Sequence, residues 1–185
     1  MSHVSEALDH LHNKILTLNG VEYFTNDFDP DWRSECEIST VGDSTHWKPS
    51  LQSSSLNFSG LANAAEADIH PDIQAYYGSY WSGGLKLKSR EGPVDLIQLW
   101  NSADFDRLIE NLVGHLFMKQ RAKQSFTVFF ATTEPDSELF LSIDNESGKI
   151  LLEEPGQTPI RELDTDITSF LNRLEAEPIS PGASR

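Results

Sequence analysis

The chain has 185 residues, 38% of them hydrophobic and 10% aromatic, which supports one sizeable core and excludes a disordered chain. Its 29 acidic residues against 14 basic give a formal charge of −15, which excludes a protein that grips nucleic-acid phosphates through Lys and Arg. The imbalance is uneven: 3 basic and 12 acidic residues up to position 83, 7 and 5 over 84–123, 4 and 12 from 124 onward. The same charge makes an anionic lipid surface a poor direct partner, although an acidic exterior also serves solubility. No apolar run approaches the roughly 18 residues needed to cross a bilayer. The first residues lack the basic-then-apolar pattern of a secretory signal, and Cys36 stands alone, so no intramolecular disulfide forms. These features lead to the expectation of a cytosolic protein, or one on the cytosolic side of a membrane.

Leu8, Leu11, Ile15 and Leu18 recur at helical spacing with Gly20 after them, which predicts a helix over 5–18. His10 and His12 fall on different sides of it and are expected to be solvated. Residues 21–43 are irregular and acidic, with a short strand over 36–40. Trp47-Lys48-Pro49 follows, then a Ser-rich loop over 51–57. Ser59 is placed to cap a helix over 60–67, and Pro71 to start another that reaches about Tyr77, with His70 at its entrance. Leu85 and Leu87 alternate with Lys86 and Lys88 as in a half-exposed strand. After a turn over 89–93, residues 94–100 are apolar on both faces, as an interior strand paired to the first would be.

The main helix follows, with Ser102 as its expected cap, Asp104 and Asp106 in its first turn and Lys119 and Arg121 in its last. Phe105, Leu108, Ile109, Leu112, Leu116 and Phe117 make its buried stripe, and Gly114 points to close packing there. Strands over 126–131, 139–143 and 149–152 and a helix over 166–174 complete the pattern. Strands and helices outside a βαβ alternation predict the α+β class. The expected architecture is a single domain over 1–178, with a mostly antiparallel or mixed sheet of about five to six strands flanked by helices, and a flexible tail over 179–185.

Few motifs carry chemistry. Asp27-Phe28-Asp29-Pro30-Asp31 has the look of a calcium loop, but Trp32 and Ile38 stand where Gly and Glu belong, so an acidic solvated loop is expected. Ser82-Gly83-Gly84 falls short of a nucleophile elbow because Tyr80 replaces its first Gly. Cys36 is expected to be a small buried apolar residue, and His115 a structural group beside the helix stripe. Tyr76, Tyr77, Tyr80 and Trp81 suit core packing, with a protein-binding surface as the other reading. No catalytic, cofactor or metal residue is assigned.

The stretch from Val94 to His115 carries more. Gln98-x-Trp100, Asp104-Phe105-x-Arg107 and Glu110-Asn111-Leu112-x-Gly114-His115-Leu116 resemble the Syd family of SecY-interacting proteins, within the wider Smi1/Knr4 superfamily. Cys36-x-Ile38-Ser39-Thr40, Trp47-x-Pro49, Glu66, Asp68-Ile69, Pro71, Ala131-Thr132 and Leu171-Asn172-x-Leu174 extend the likeness in the same order. The resemblance implies a cytosolic domain, peripheral at the inner membrane, that binds the channel subunit SecY and monitors or negatively regulates it when improperly assembled.

Cytoplasmic loops of membrane proteins are rich in Lys and Arg, so an acidic face would meet them by charge. The candidates for that face are Glu66, Asp68, Asp104 and Glu110, which match the family pattern. Glu134, Asp136, Glu138, Glu153 and Glu154 join them from loops and strand ends. The expected protein is a monomer without enzymatic activity, cofactor, nucleic acid or direct lipid contact. Its rivals are an immunity-type protein that neutralises a basic toxin, and a hydrolase using His115 with a carboxylate.

Overall fold

The computed structural model describes residues 2–178, so the expected flexible tail lies outside the described residues. The first helix, α1 (His3–Asn19), begins where the Ser2 side chain accepts the Ser5 amide and ends at Gly20 in the left-handed conformation. Val4, Leu8, Leu11 and Ile15 bury its inner stripe. Three short strands follow, β1 (Phe24–Asp27), β2 (Glu37–Val41) and β3 (Ser44–Trp47), in a small antiparallel sheet of order β1-β3-β2. Only β2 was expected. The other two strands, β1 and β3, have four residues each and bury one face at most, too few residues to make a periodic signal.

Next come β4 (Ser50–Leu51), α2 (Ser59–Ala65), α3 (Pro71–Gly78) and β5 (Tyr80–Trp81), with β4 and β5 paired. Ser59 does not cap α2; Phe58 holds the cap position and makes no side-chain cap bond. His70 does cap α3, its Nδ1 accepting the Asp72 amide at 3.2 Å. Tyr76 and Tyr77 are fully buried and donate to backbone carbonyls, Tyr76 to Ile97 at 3.2 Å and Tyr77 to Phe129 at 2.7 Å. Tyr80 and Trp81 are buried too, so these four aromatics are core rather than binding surface.

The main sheet has seven strands: β6 (Leu85–Ser89), β7 (Gly92–Leu96), β8 (Thr127–Thr132), β9 (Phe140–Asp144), β10 (Ile150–Glu153), β11 (Arg161–Asp164) and β12 (Glu175–Ala176). Its order is β11-β10-β9-β8-β7-β6-β12 and every neighbouring pair is antiparallel. The class is α+β as expected, and β6 and β7 form the expected hairpin. The sheet exceeds five to six strands because β11 and β12, short and polar, add to its two edges.

Helix α4 (Ser102–Arg121) covers one face, where His115 meets Phe129 and Phe140 edge-on. Helix α5 (Ile167–Asn172) and α3 cover the other, where Phe170 and Tyr76 meet Phe130. The cap of α4 is Asn101, not Ser102: its Oδ1 accepts the Asp104 amide at 3.0 Å. Phe117 is 53% exposed, since it lies about 100° round the helix from buried Leu116. Gly114 is not there for close packing, because an added Cβ would meet nothing within 4 Å.

Gly148 is a glycine that the packing does demand. It sits at φ +75°, and an added Cβ would lie 2.7 Å from Cε1 and 2.8 Å from Nε2 of His70, the α3 cap. Gly148→Ala is expected to cost about 1–3 kcal/mol. Gly156→Ala, at the same φ but in open space, should cost only the backbone part. Thermal melts of both variants check this.

His12 corrects a second expectation. It is 3% exposed, packed edge-on to Tyr80, and both ring nitrogens lack a hydrogen-bond partner among the described residues. Burial lowers its pKa to about 4, so the folded protein keeps it neutral. The unfolded chain takes up that proton near the ordinary value of 6.5, so stability falls as pH drops from 6.5 towards 4. Between neutral pH and pH ~4.5 this group should remove roughly 2–3 kcal/mol. Urea midpoints against pH for the wild type and His12→Leu test it. The leucine variant should lose that much less stability over the same window.

Candidate functional site

The small sheet leans on the start of β6 and the first turn of α4, leaving a hollow of about 240 Å³. Four carboxylates line it: Asp27 at the end of β1, Asp29 just beyond, Glu37 at the start of β2, and Asp104 in α4. Trp32 and Trp100 form aromatic walls, and Ser82, Gly83 and Gly84 lie along the lead into β6. The Trp100 indole Nε1 donates to the Trp32 carbonyl at 2.9 Å, and Ser34 Oγ donates to the Trp100 carbonyl. Asn101 Nδ2 donates to the Arg33 carbonyl at 2.9 Å, tying the acidic loop to the α4 cap. Trp47, stacked on Phe24 and edge-on to Trp100, runs so close beneath Gly83 that an added Cβ would sit 2.6 Å from its ring. Only glycine leaves room for that indole.

The electrostatics are one-sided. Glu37 pairs with Arg33 at 2.6 Å, whereas Asp27, Asp29 and Asp104 have no ion-pair partner among the described residues. Asp29 Oδ1 accepts the Asp31 amide at 2.9 Å, and Asp104 Oδ2 accepts the Trp100 amide at 3.0 Å. Neighbouring Asp95 is held above the usual carboxylate range by burial, against the pull of Lys86. Arg107 lies over the Trp32 ring at 4.0 Å, so this wall already carries a guanidinium in a cation–π contact. Among the described residues no group of three His, Cys, Asp or Glu side chains is arranged to hold a metal ion. The arrangement can receive cationic side chains.

Of the nine expected acidic positions only Asp104 lines this hollow. Glu110 is exposed on α4, about 9 Å further along its axis. Glu66 is the exposed left-handed cap of α2. Asp68 follows it, its carbonyl held by Asn145 in the β9–β10 turn. Glu134, Asp136 and Glu138 are exposed on the β8–β9 connection, with Glu134 near the β6–β7 turn at the strand ends away from the hollow. Glu154 is exposed after β10.

Glu153 is a correction to the acidic-face assignment. It is 0% exposed and bound to Lys119 and Ser142 beneath α4, so it faces no partner. The carboxylates thus form separated patches rather than one face. Asp27 and Asp29 were visible in sequence as acidic loop residues. Their meeting with Asp104 was not, because it depends on how the small sheet docks.

The remaining reactive side chains are occupied structurally. His115 Nε2 lies 2.9 Å from Thr127 Oγ1, and burial lowers its pKa. Glu153, the nearby carboxylate, is engaged by Lys119. Cys36 is buried as expected, and burial pushes its thiol up to about 11, away from the reactive thiolate. No helix among the described residues is long and apolar enough to cross a membrane.

A family profile described as Syd protein (SUKH-2) matches residues 5–176. A protein named Protein Syd from Pseudoalteromonas atlantica is 37% identical over 153 residues, covering 80% of this chain and 82% of the relative. The Protein Syd of Hahella chejuensis is 42% identical over 130 residues, with 70% and 67% covered. That of Colwellia psychrerythraea is 33% identical over 160 residues, with 81% and 80% covered. The chain belongs to the Syd family. The Syd match spans α1 to β12, so it includes the small sheet, α4 and every carboxylate of the hollow.

Proposed function

We propose that this chain is a non-enzymatic binding protein that docks, as a monomer, on the basic cytoplasmic loops of the SecY translocation channel. It works at the cytoplasmic side of the inner membrane as a peripheral protein, monitoring or restraining the channel. The observation that carries the reading is the hollow between the small sheet and α4, where Asp27, Asp29 and Asp104 stand without ion-pair partners among the described residues. Basic loops entering it gain charge complementarity, which speeds encounter and rejects acidic competitors. A formal charge of −15 works against direct lipid attachment, so the protein partner supplies the hold on the membrane.

A salt-titrated pull-down against detergent-solubilised channel tests this. Retention should fall steeply between about 50 and 500 mM salt as screening shortens to a few ångströms. Equal retention at both ends would remove the mechanism. A basic nuclease toxin captured in place of the channel would favour the immunity reading.

A further inference from the structure

A second depression, of about 210 Å³, lies at the end of the main sheet away from the hollow. Its floor is apolar. Register places Leu96, Leu141 and Leu152 on one face, opposite Ser142, and Val94 shares that face two residues before Leu96. Val94, Leu139, Leu141, Leu152 and Leu163 make the floor, with Leu96 buried beyond it. This is the α5 side of the sheet, where Phe170 packs on Phe130. Leu139, Leu152 and Leu163 remain half-buried. Arg173, just after α5, joins Glu91 of the β6–β7 turn at 2.9 Å to Asp164 of β11 at 2.8 Å. The two sides of the depression are therefore fixed to each other.

The rim is acidic. Glu134 lines it, and Asp136 and Glu138 stand exposed on the same connection. None of the three has an ion-pair partner among the described residues. Arg161 is the one cation on the lining.

We infer that this trough docks a basic partner segment bearing one bulky aliphatic or aromatic side chain. That side chain seats on the leucine floor, and flanking Lys or Arg residues meet Glu134, Asp136 and Glu138. Charge selects the occupant: the open carboxylates repel an acidic segment and an anionic lipid surface, and a second copy of this chain brings its own charge of −15. The trough and the hollow share no lining residue, so the inference goes beyond docking through the hollow.

The test titrates the full chain with two labelled five-residue peptides, lysine-flanked, one centred on leucine and one on alanine. The leucine peptide should bind about tenfold tighter, the value of a few buried methylenes. Leu163→Asp should abolish that preference, with circular dichroism melts reporting its fold. The exposed triple variant Glu134→Lys, Asp136→Lys, Glu138→Lys, which touches no core, should weaken both peptides about tenfold or more. Asp27→Lys with Asp29→Lys should leave the leucine preference intact. Equal binding of the two peptides, or a preference that survives Leu163→Asp, overturns the inference. A dimer in sedimentation that Leu163→Asp dissolves also overturns it, since the occupant is then a second copy. Salt-sensitive channel capture without a leucine preference sinks the trough and leaves the hollow reading standing. A leucine preference without channel capture does the reverse.

Discussion

Glu153→Gln is expected to lower the stability of the fold by roughly 3–5 kcal/mol, on the order of 10 °C in melting temperature. Glu153 is 0% exposed and Lys119 is 5% exposed, and the two are bound to each other beneath α4. Ser142 Oγ donates to the second carboxylate oxygen, and Lys119 Nζ also reaches Gln124 Oε1 at 3.2 Å. Each charge is tolerated away from water only because the other stands against it. Removing the carboxylate leaves an ammonium with nothing to balance it.

Lys119→Met should cost a similar amount for the mirror reason. The double variant Lys119→Met with Glu153→Leu should recover most of the loss, since a matched apolar pair carries no desolvation cost. Urea denaturation of the three proteins measures this. A single variant within about 1 kcal/mol of wild type would show that water reaches the pair. Because Glu153 is structural, folded Glu153→Gln should still bind partner at wild-type strength.

The second large effect concerns binding. Asp27→Lys with Asp29→Lys is expected to weaken capture of the basic channel loops by about 100-fold at low salt, near tenfold for each reversed charge. Both residues line the hollow, are exposed, and lie outside the hydrophobic core, so melting should barely change. Asp68→Lys, on the α2–α3 connection beside the β9–β10 turn and outside the lining of the hollow, should change affinity only a few-fold. Titrations at two salt concentrations check both. If Asp68→Lys matches the hollow variant, the interaction reads total charge rather than a formed site.

Much of the architecture was open to reading one residue at a time. The leucine spacing before Gly20 and the alternation of Leu85 and Leu87 with lysines report local periodicity, and each became the element it announced, whereas the apolar run over 94–100 became a strand only as far as Leu96. The family blocks around Trp100 and His115 were equally legible, since they are strings of residues. Local signals failed where a neighbour overrode them. His12 looked like one of two solvated histidines until the folded core closed round it. Asn101 took the cap from Ser102 because its side chain reached the Asp104 amide.

The sequence by itself determined the acidic charge, the strands and helices long enough to repeat a pattern, and the family. Tertiary structure alone decided which carboxylates stand together. Glu153 and Glu154 are adjacent in the chain, yet the first, at the end of β10, stands in an ion pair under α4 and the second, just past the strand, faces water. Asp27 and Asp104 are far apart in the chain, and only the docking of a three-stranded sheet on a helix terminus brought them to one hollow. Charge is a property of composition, but a binding field depends on distance, and distances between remote residues are set by packing.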